Sequence, residues 1–211
     1  MLQFDEFFGE NYKPEAIAEG AVILREFAIQ DAPFLLKAVD EIVSQAPFRA
    51  MYTQGGLKMS VTSTGCGDMD WFDEYSQDSA QSRSPLPPMP PIFIDFAKRV
   101  AKESGYEGYV PDSCLINRYV PAAKLGLHQD RDEWDLRSPI LSLSLGLPIV
   151  FLFGGLERSD KVRRIPLDHG DVVVWGGASR LFFHGVNPLK DGLHPLLGRQ
   201  RINLTFRKHK T

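Results

Sequence analysis

Residues 114–130 read CLINRYVPAAKLGLHQD, and this stretch indicates both a β-rich fold and a chemical site. The runs CLINRYV and LGLHQD are short segments separated by a proline-containing turn, as expected of neighbouring strands. Side chains two residues apart on a strand point to the same face, so His128 and Asp130 share one. An imidazole and a carboxylate on one face indicate either a surface ion pair or two ligands of a metal ion.

The strand pattern continues to the end of the chain. Five further runs are rich in β-branched and aromatic residues and are separated by Gly, Pro and Asp: ILSLSLGL, IVFLFGG, RRIPLDHGDVVVWGG, RLFFHGV and RINLTFR. Many short strands behind a helical front end predict an α+β fold that is mainly β. A jelly roll with the helices packed on it satisfies this pattern.

Two amphipathic helices are predicted ahead of these strands. Residues 31–46 place Leu35, Val39, Ile42 and Val43 on one stripe, with Asp31 as the N-terminal cap. Residues 91–106 begin with proline and carry a glycine just past their end. Residues 51–90 start with strand-like alternation and become rich in Gly, Ser, Asp and Pro, which is typical of a functional lid or a disordered segment.

The composition is that of an ordinary globular protein. The chain has 211 residues, 43% of them hydrophobic, and a formal net charge of −3, so overall charge gives no support to nucleic-acid binding. Cys66 and Cys114 stand outside any CxxC motif, which indicates reduced thiols rather than a thiolate zinc site. The N-terminus has no secretory pattern and no apolar run approaches membrane-spanning length. We expect one cytoplasmic domain over 1–211.

The third candidate ligand comes from the remaining histidines. His209 stands in the basic tail RKHKT and is expected to be solvated, while His169 and His194 fall in a turn and a loop. His184 ends the apolar run RLFFHGV, where its side chain can point into a sandwich interior, although a histidine on an apolar face is more often a core residue. Together with His-x-Asp it completes two histidines and one carboxylate, a set that leaves coordination positions open and suits non-haem Fe(II).

The last strand, RINLTFR, offers a place for a co-substrate. Arg201, Asn203, Thr205 and Arg207 alternate with apolar residues and share a face. Two arginines pointing into a barrel would repel each other, and a dicarboxylate would compensate them. A solvent-exposed edge strand would carry the same pattern. Asn117 and Tyr119 of CLINRYV also share a face and could hydrogen-bond a carboxylate, or the tyrosine could simply pack.

In order, spacing and strand context, the series N-R-Y, H-x-D-x-D, H and R-x-N-x-x-x-R resembles the AlkB family of Fe(II)/2-oxoglutarate dioxygenases, in particular its bacterial nucleic-acid repair members. The resemblance extends more loosely over about residues 20–207. It implies a double-stranded β-helix in which about residues 111–207 form the catalytic core and about 1–110 form the helices and a nucleotide-recognition lid.

The resemblance also implies roles for individual residues. His128, Asp130 and His184 would bind Fe(II). Arg207 would take the distal carboxylate of 2-oxoglutarate and Arg201 would lie nearer the metal-bound end. The full set implied to hold 2-oxoglutarate is Asn117, Tyr119, Arg201, Asn203, Thr205 and Arg207.

On the substrate side, Asp132 would read the amino group of a damaged base, and Trp71 would stack on it or, in the alternative, pack in a core. Arg158 and Arg131 would lie near the nucleic acid. The family pattern is expected to carry a Gly-Tyr step after the tryptophan, and this chain has DWFDEYSQD instead, so Tyr75 is the candidate replacement.

The implied reaction is oxidative demethylation of N-alkylated bases in DNA or RNA with Fe(II), 2-oxoglutarate and O2, releasing formaldehyde. A monomer that does not associate with membranes is expected. Three alternatives remain at this point: an Fe(II)/2-oxoglutarate hydroxylase acting on protein or another substrate, a non-catalytic nucleic-acid-binding module, and a zinc or manganese cupin.

Overall fold

The computed structural model describes residues 13–53, 55–69, 72, 86–131 and 135–209. Within these ranges the chain forms two α-helices and twelve strands. The helices are α1 (Ala32–Gln45) and α2 (Pro91–Glu103). The strands are β1 (Glu15–Ala18), β2 (Ala21–Leu24), β3 (Arg49–Tyr52), β4 (Lys58–Gly67), β5 (Ser113–Tyr119), β6 (Leu125–His128), β7 (Ile140–Gly146), β8 (Ile149–Phe153), β9 (Arg163–Leu167), β10 (Val172–Trp175), β11 (His184–Val186) and β12 (Arg201–Arg207).

The strands form two antiparallel sheets. The larger has the order β1-β2-β10-β7-β12-β5-β4-β3, and the smaller has the order β6-β11-β8-β9. One core fills the space between the sheets and includes Phe151 and Phe153 of the small sheet and Val173 and Trp175 of the large one. This arrangement confirms the predicted mainly β jelly roll with helices at the front.

The two helices cover the outer face of the large sheet. Leu35, Val39 and Ile42 of α1 are buried in a second core, as their spacing predicted. Asp31 occupies the N-cap position of α1 but makes no capping hydrogen bond, because its carboxylate pairs with Arg99 of α2 at 2.6 Å. The pair ties one helix to the other. None of the described helices has the length and apolar character needed to cross a bilayer.

Alternation along β12 separates this second core from the interior of the jelly roll. Ile202, Leu204 and Phe206 belong to the helix-side core, so residues 201, 203 and 205 face the space between the sheets. All of these side chains are buried, since β12 lies between β7 and β5 in the middle of the large sheet. The alternative interpretation of this segment as a solvent-exposed edge strand is therefore wrong.

The segment RLFFHGV differs from its prediction as one strand. A short 3-10 helix spans Gly177–Ser179, and β11 begins only at His184. Gly185 does not end the strand. It lies in the middle of β11, where a Cβ atom would approach the Leu125 carbonyl oxygen to 2.6 Å, so glycine lets β6 come close.

Two other expectations have clear outcomes. Cys66 and Cys114 are free and buried, as predicted. His209 was expected to be solvated and is only 6% exposed, which is a correction. Its backbone N–H donates to Asp112 Oδ1 at 2.7 Å, so a distant loop draws the end of the chain against the fold.

Candidate active site

Three candidate ligands meet where β6 and β11 lie side by side. His128 is the last residue of β6 and is the direct cross-strand partner of His184, the first residue of β11. Asp130 follows β6 by two residues, and its two carboxylate oxygens lie 3.6 Å from the Nε2 atoms of the two histidines. One ligand atom from each residue lies within 4.8 Å of the others. The sequence-predicted triad is thus brought together.

The backbone fixes the tautomer of both imidazoles. Nδ1 of His128 lies 2.9 Å from the carbonyl oxygen of Gly126, and Nδ1 of His184 lies 3.0 Å from that of Phe182. A carbonyl can only accept a hydrogen bond, so each Nδ1 carries the proton and each Nε2 presents a lone pair. This is the arrangement that metal-binding histidines use.

The charges of the triad suit a divalent cation. Burial alone would raise the pKa of Asp130, but Arg207, whose Nη2 donates to Asp130 Oδ2 at 2.7 Å, and the two histidines together lower it well below its ordinary value. Burial, followed by the neighbouring His184, lowers the pKa of His128. The site therefore offers an ionised carboxylate and an imidazole that is neutral at pH 7.

A cavity of about 700 Å³ opens in front of these ligands. Its lining includes the triad and every residue predicted to hold a co-substrate: Asn117, Tyr119, Arg201, Asn203, Thr205 and Arg207. One apolar wall residue, Leu115, shares the inward face of β5 with Asn117 and Tyr119. Sequence reasoning missed the other apolar wall residues, which are Met51, Met59, Phe151 and Trp175. We call the part around the triad and Arg207 the metal end, and the part around Arg201, Tyr119 and Ser144 the distal end.

The distal end holds a buried cation. Arg201 is 2% exposed, its Nη2 donates to Ser144 Oγ at 2.8 Å, and its guanidinium lies 5.0 Å from the centroid of the Tyr119 ring. Among the described residues its Nε and Nη1 find no hydrogen-bond partner. Burial lowers the pKa of Arg201, and Tyr119 opposes that change. A carboxylate would supply the missing acceptors, so the residues fit one end of 2-oxoglutarate.

The order of the two arginines is the reverse of the expectation. Arg207 was expected at the distal carboxylate, yet its Nη2 contacts the ligand Asp130 directly. Arg201 was expected nearer the metal, yet its contacts are with Ser144 and Tyr119. The six-residue separation along β12, roughly 20 Å of strand, places the two guanidinium groups on opposite ends of the cavity.

Polar side chains between the two ends are bonded to one another. Asn203 Nδ2 donates to Ser142 Oγ and to the Leu143 carbonyl, both at 2.8 Å, and Thr205 Oγ1 donates to Asn203 Oδ1 at 3.0 Å. On β5, Asn117 Oδ1 accepts from Ser63 Oγ at 2.6 Å. Sequence reasoning missed the three serines at 63, 142 and 144, although Ser142 and Ser144 alternate with leucine in ILSLSLGL and so share an inward face.

The residues predicted to contact a substrate are only partly described. Trp71, Tyr75 and Asp132 lie outside the described residues. Arg158 lines the cavity and is exposed, but both its Nη atoms donate to the Leu127 carbonyl, at 2.7 and 2.9 Å. Arg131 is exposed and directly follows the ligand Asp130 in the chain.

A jelly roll that holds two histidines and one carboxylate at an open cavity defines a mononuclear non-haem metal enzyme. Residues 20–207 match the family described as the 2OG-Fe(II) oxygenase superfamily, and the chain belongs to this family. Its cofactors are accordingly Fe(II) and 2-oxoglutarate, with O2 as the oxidant. Membership excludes the zinc or manganese cupin.

The chain is also similar to individual proteins of known name. The chain is 53% identical over 199 residues to the alpha-ketoglutarate-dependent dioxygenase AlkB of Escherichia coli (strain K12), covering 92% of each chain. It is 36% identical over 152 residues to the tRNA demethylase abh1 of Schizosaccharomyces pombe (strain 972), covering 66% of this chain and 49% of that protein. The solved structure described as OsALKBH1 superposes with a TM-score of 0.78 at 30% identity, covering 93% of this chain and 100% of that one.

Proposed function

We propose that this protein removes alkyl groups from nitrogen atoms of bases in DNA or RNA by oxidation, releasing formaldehyde from a methyl adduct. The match to the AlkB relative covers 92% of this chain and 92% of that protein. The tRNA demethylase relative acts, by its name, on nucleic acid. These similarities support the proposed reaction. The shape and lining of the cavity support a nucleic-acid base as its substrate.

One observation carries the proposal: the triad lies in a cavity whose lining combines the polar co-substrate residues with apolar side chains. Met51, Met59 and Leu115 line that cavity together with His128. An apolar slot beside a metal centre suits a flat aromatic ring better than a charged group. A base inside a duplex cannot reach this depth, so the substrate nucleotide must leave the stack.

Each end of the cavity has its own task. Bound Fe(II) supplies the redox chemistry by which O2 oxidises 2-oxoglutarate and the substrate C–H bond. The distal end holds one carboxylate of 2-oxoglutarate through Arg201, with Tyr119 beside it. At the metal end Arg207 keeps Asp130 ionised and oriented. Arg158 and Arg131 are available at the surface for a phosphate backbone, whose contacts are sensitive to salt.

We also propose a single domain, a cytoplasmic location and a monomeric state. We place the whole chain in one dioxygenase domain, because the family match runs from residue 20 to residue 207. Two reduced, buried thiols support a cytoplasmic location. A monomer is proposed because one chain supplies all three ligands and the co-substrate pocket.

The test is formaldehyde release from methylated oligonucleotides. Protein purified without oxygen and loaded with Fe(II) is given single-stranded DNA, duplex DNA or RNA carrying N-methylated bases, with and without 2-oxoglutarate. We expect formaldehyde and succinate in equal amounts, only with 2-oxoglutarate, and none from His128→Ala. Succinate without formaldehyde would point to a hydroxylase with another substrate. Neither product from the iron-loaded protein would point to a non-catalytic binding module.

A further inference from the structure

Besides Arg201 at the distal end, a second arginine is almost fully buried, and it lies next to the metal end. It has no role in the reaction proposed above. Arg180 is 3% exposed and follows the short helix Gly177–Ser179, four residues before the ligand His184. Its backbone N–H donates to the Gly177 carbonyl at 3.1 Å, which fixes the direction in which the side chain leaves. A guanidinium this deeply buried is costly unless its donors are satisfied by specific acceptors.

The side chain of Arg180 joins two backbone carbonyls, those of Asp130 and Ser138. Nη1 donates to the carbonyl oxygen of Asp130 at 2.6 Å, and Nε donates to that of Ser138 at 2.9 Å. Residues 131–137 run between these two acceptors. A planar guanidinium holds its donors in a fixed relation, so it sets the distance between these two carbonyls, which a lysine with one terminal amine does not do.

The two residues that follow Arg180 contact a neighbour of Asp130 and the ligand His184. The Leu181 carbonyl accepts from Gln129 Nε2 at 2.6 Å, and the Phe182 carbonyl lies 3.0 Å from Nδ1 of His184. Three successive residues, 180–182, therefore fix Asp130, its neighbour and His184. The two strands that carry the ligands have their relative position set by this segment.

Asp130 is held from two sides by two different arginines. Arg207 contacts its carboxylate, and Arg180 contacts its backbone carbonyl. The carboxylate must face both histidines while its main chain leaves the end of β6 at His128. Contact at the carbonyl fixes the main chain there without using a carboxylate lone pair, which leaves the carboxylate for the metal.

We propose that Arg180 is a positioning residue that sets the metal ligand Asp130 by fixing its backbone carbonyl relative to that of Ser138. The proposal rests on the metal centre and not on the identity of the substrate. Removing the guanidinium should weaken metal binding by about 10–100-fold, the range seen when an outer partner of a metal ligand is lost. Arg180 contacts neither substrate nor metal in this assignment.

The experiment compares Arg180→Met, Arg180→Lys and Arg25→Met with the full-length wild type. Arg25 is the matched control, because its Nη1 also donates to a backbone carbonyl, that of Pro166 at 2.8 Å, and to a buried carboxylate, that of Asp171 at 2.7 Å, away from the cavity lining. Mn(II) affinity is measured by calorimetry without oxygen, and melting temperature is measured on the same metal-free samples.

We expect Arg180→Met to lose about 10–100-fold in Mn(II) affinity and Arg180→Lys to lose less, since one amine can reach one carbonyl. Arg25→Met should lower the melting temperature and leave Mn(II) affinity unchanged. The proposal fails if Arg180→Met binds Mn(II) like the wild type, or if Arg25→Met weakens binding equally. If Arg180→Met does not fold, Arg180→Lys decides, and wild-type affinity in that variant overturns the proposal. No nucleic acid enters these measurements, so they stand apart from the formaldehyde test.

Discussion

The metal end of the cavity balances its own charge, whereas the distal end does not. At the metal end the carboxylate of Asp130 is paired with Arg207 and flanked by two imidazoles. At the distal end Arg201 has a hydroxyl and an aromatic ring beside it, and two of its nitrogens have no acceptor among the described residues. One end is held together within the protein, and the other is completed by an anion.

Because of this difference, we expect mutations at the two ends to affect stability and co-substrate binding differently. Loss of a group from the metal end leaves a buried partner without its counter-charge, which lowers the stability of the free protein. Loss of Arg201 removes a buried charge that lacks a counter-charge, so the free protein should tolerate it while co-substrate binding fails.

The largest effect is expected from Asp130→Asn. The amide keeps the shape of the side chain but removes the negative charge that a divalent cation requires, so Mn(II) affinity should fall by more than about 100-fold, beyond the loss caused by an outer partner. Calorimetry without oxygen measures it. Asp171→Asn is the control, because Asp171 is also a buried carboxylate paired with an arginine, Arg25, outside the cavity lining. Equal losses in both variants would mean that general destabilisation, not ligation, is responsible.

Arg201→Met should raise the KM for 2-oxoglutarate by about 100-fold or more. A charged hydrogen bond contributes about 1.5–3 kcal/mol, and each 1.4 kcal/mol is a factor of about ten, so the loss of two such bonds is enough. Steady-state succinate formation measures the KM. Mn(II) affinity without 2-oxoglutarate is the matched readout and should not change, because Arg201 belongs to the distal end. A variant with a normal KM would remove Arg201 from the co-substrate site.

Arg207→Met sharpens the comparison through the stability of the metal-free protein. It leaves Asp130 buried without its cation, and we expect the free energy of unfolding to fall by about 3 kcal/mol, at the low end for a broken buried pair because the carboxyl can take up a proton. Arg201→Met should leave the free energy of unfolding unchanged or raise it. Urea denaturation of both metal-free variants measures this. Equal destabilisation by the two substitutions would contradict the difference between the two ends.

A smaller effect is expected from Tyr119→Phe. The hydroxyl of Tyr119 interacts with Arg201, while its ring belongs to the core between the sheets. Phenylalanine keeps the ring and removes one hydrogen-bonding group worth about 0.5–1.5 kcal/mol, so the KM for 2-oxoglutarate should rise about 2–10-fold with little change in melting temperature. If the KM stays constant, the tyrosine only packs, which is the alternative that the sequence left open.

The sequence predicted the two faces of β12 because alternation on a strand is a local property. It could not predict which arginine lies at which end, since that depends on where β6 and β11 bring Asp130 against β12. Ser142 and Ser144 alternate with leucine, but both faces of β7 are buried, so alternation alone did not show which face borders a cavity. The burial of His209 depends on a carboxylate about a hundred residues away in the chain, at Asp112, and no local pattern encodes that contact.

The smallest effect concerns the backbone behind the distal end. His169 Nδ1 accepts a hydrogen bond from the N–H of Gly146, and Gly146 is the cross-strand partner of Arg201. Burial, followed by the neighbouring ring of His194, whose centroid lies 4.6 Å away, lowers the pKa of His169 below its ordinary value. The unfolded chain therefore binds a proton first as the pH falls. Stability contributed by neutral His169 is complete above about pH 6.5 and decreases as the pH falls below it, until the lowered pKa of the folded state is reached.

His169→Gln isolates this contribution, because the amide oxygen can still accept the hydrogen bond of Gly146 but does not titrate. We expect the free energy of unfolding to depend less steeply on pH between about 7.5 and 5.5 in this variant than in the wild type. Urea denaturation across that range measures both slopes. The difference between the two slopes isolates His169, because the rest of the sequence is the same in both proteins. Identical slopes would mean that the protonation of His169 is not coupled to folding, and that the turn behind Arg201 is held by the strand pairing alone.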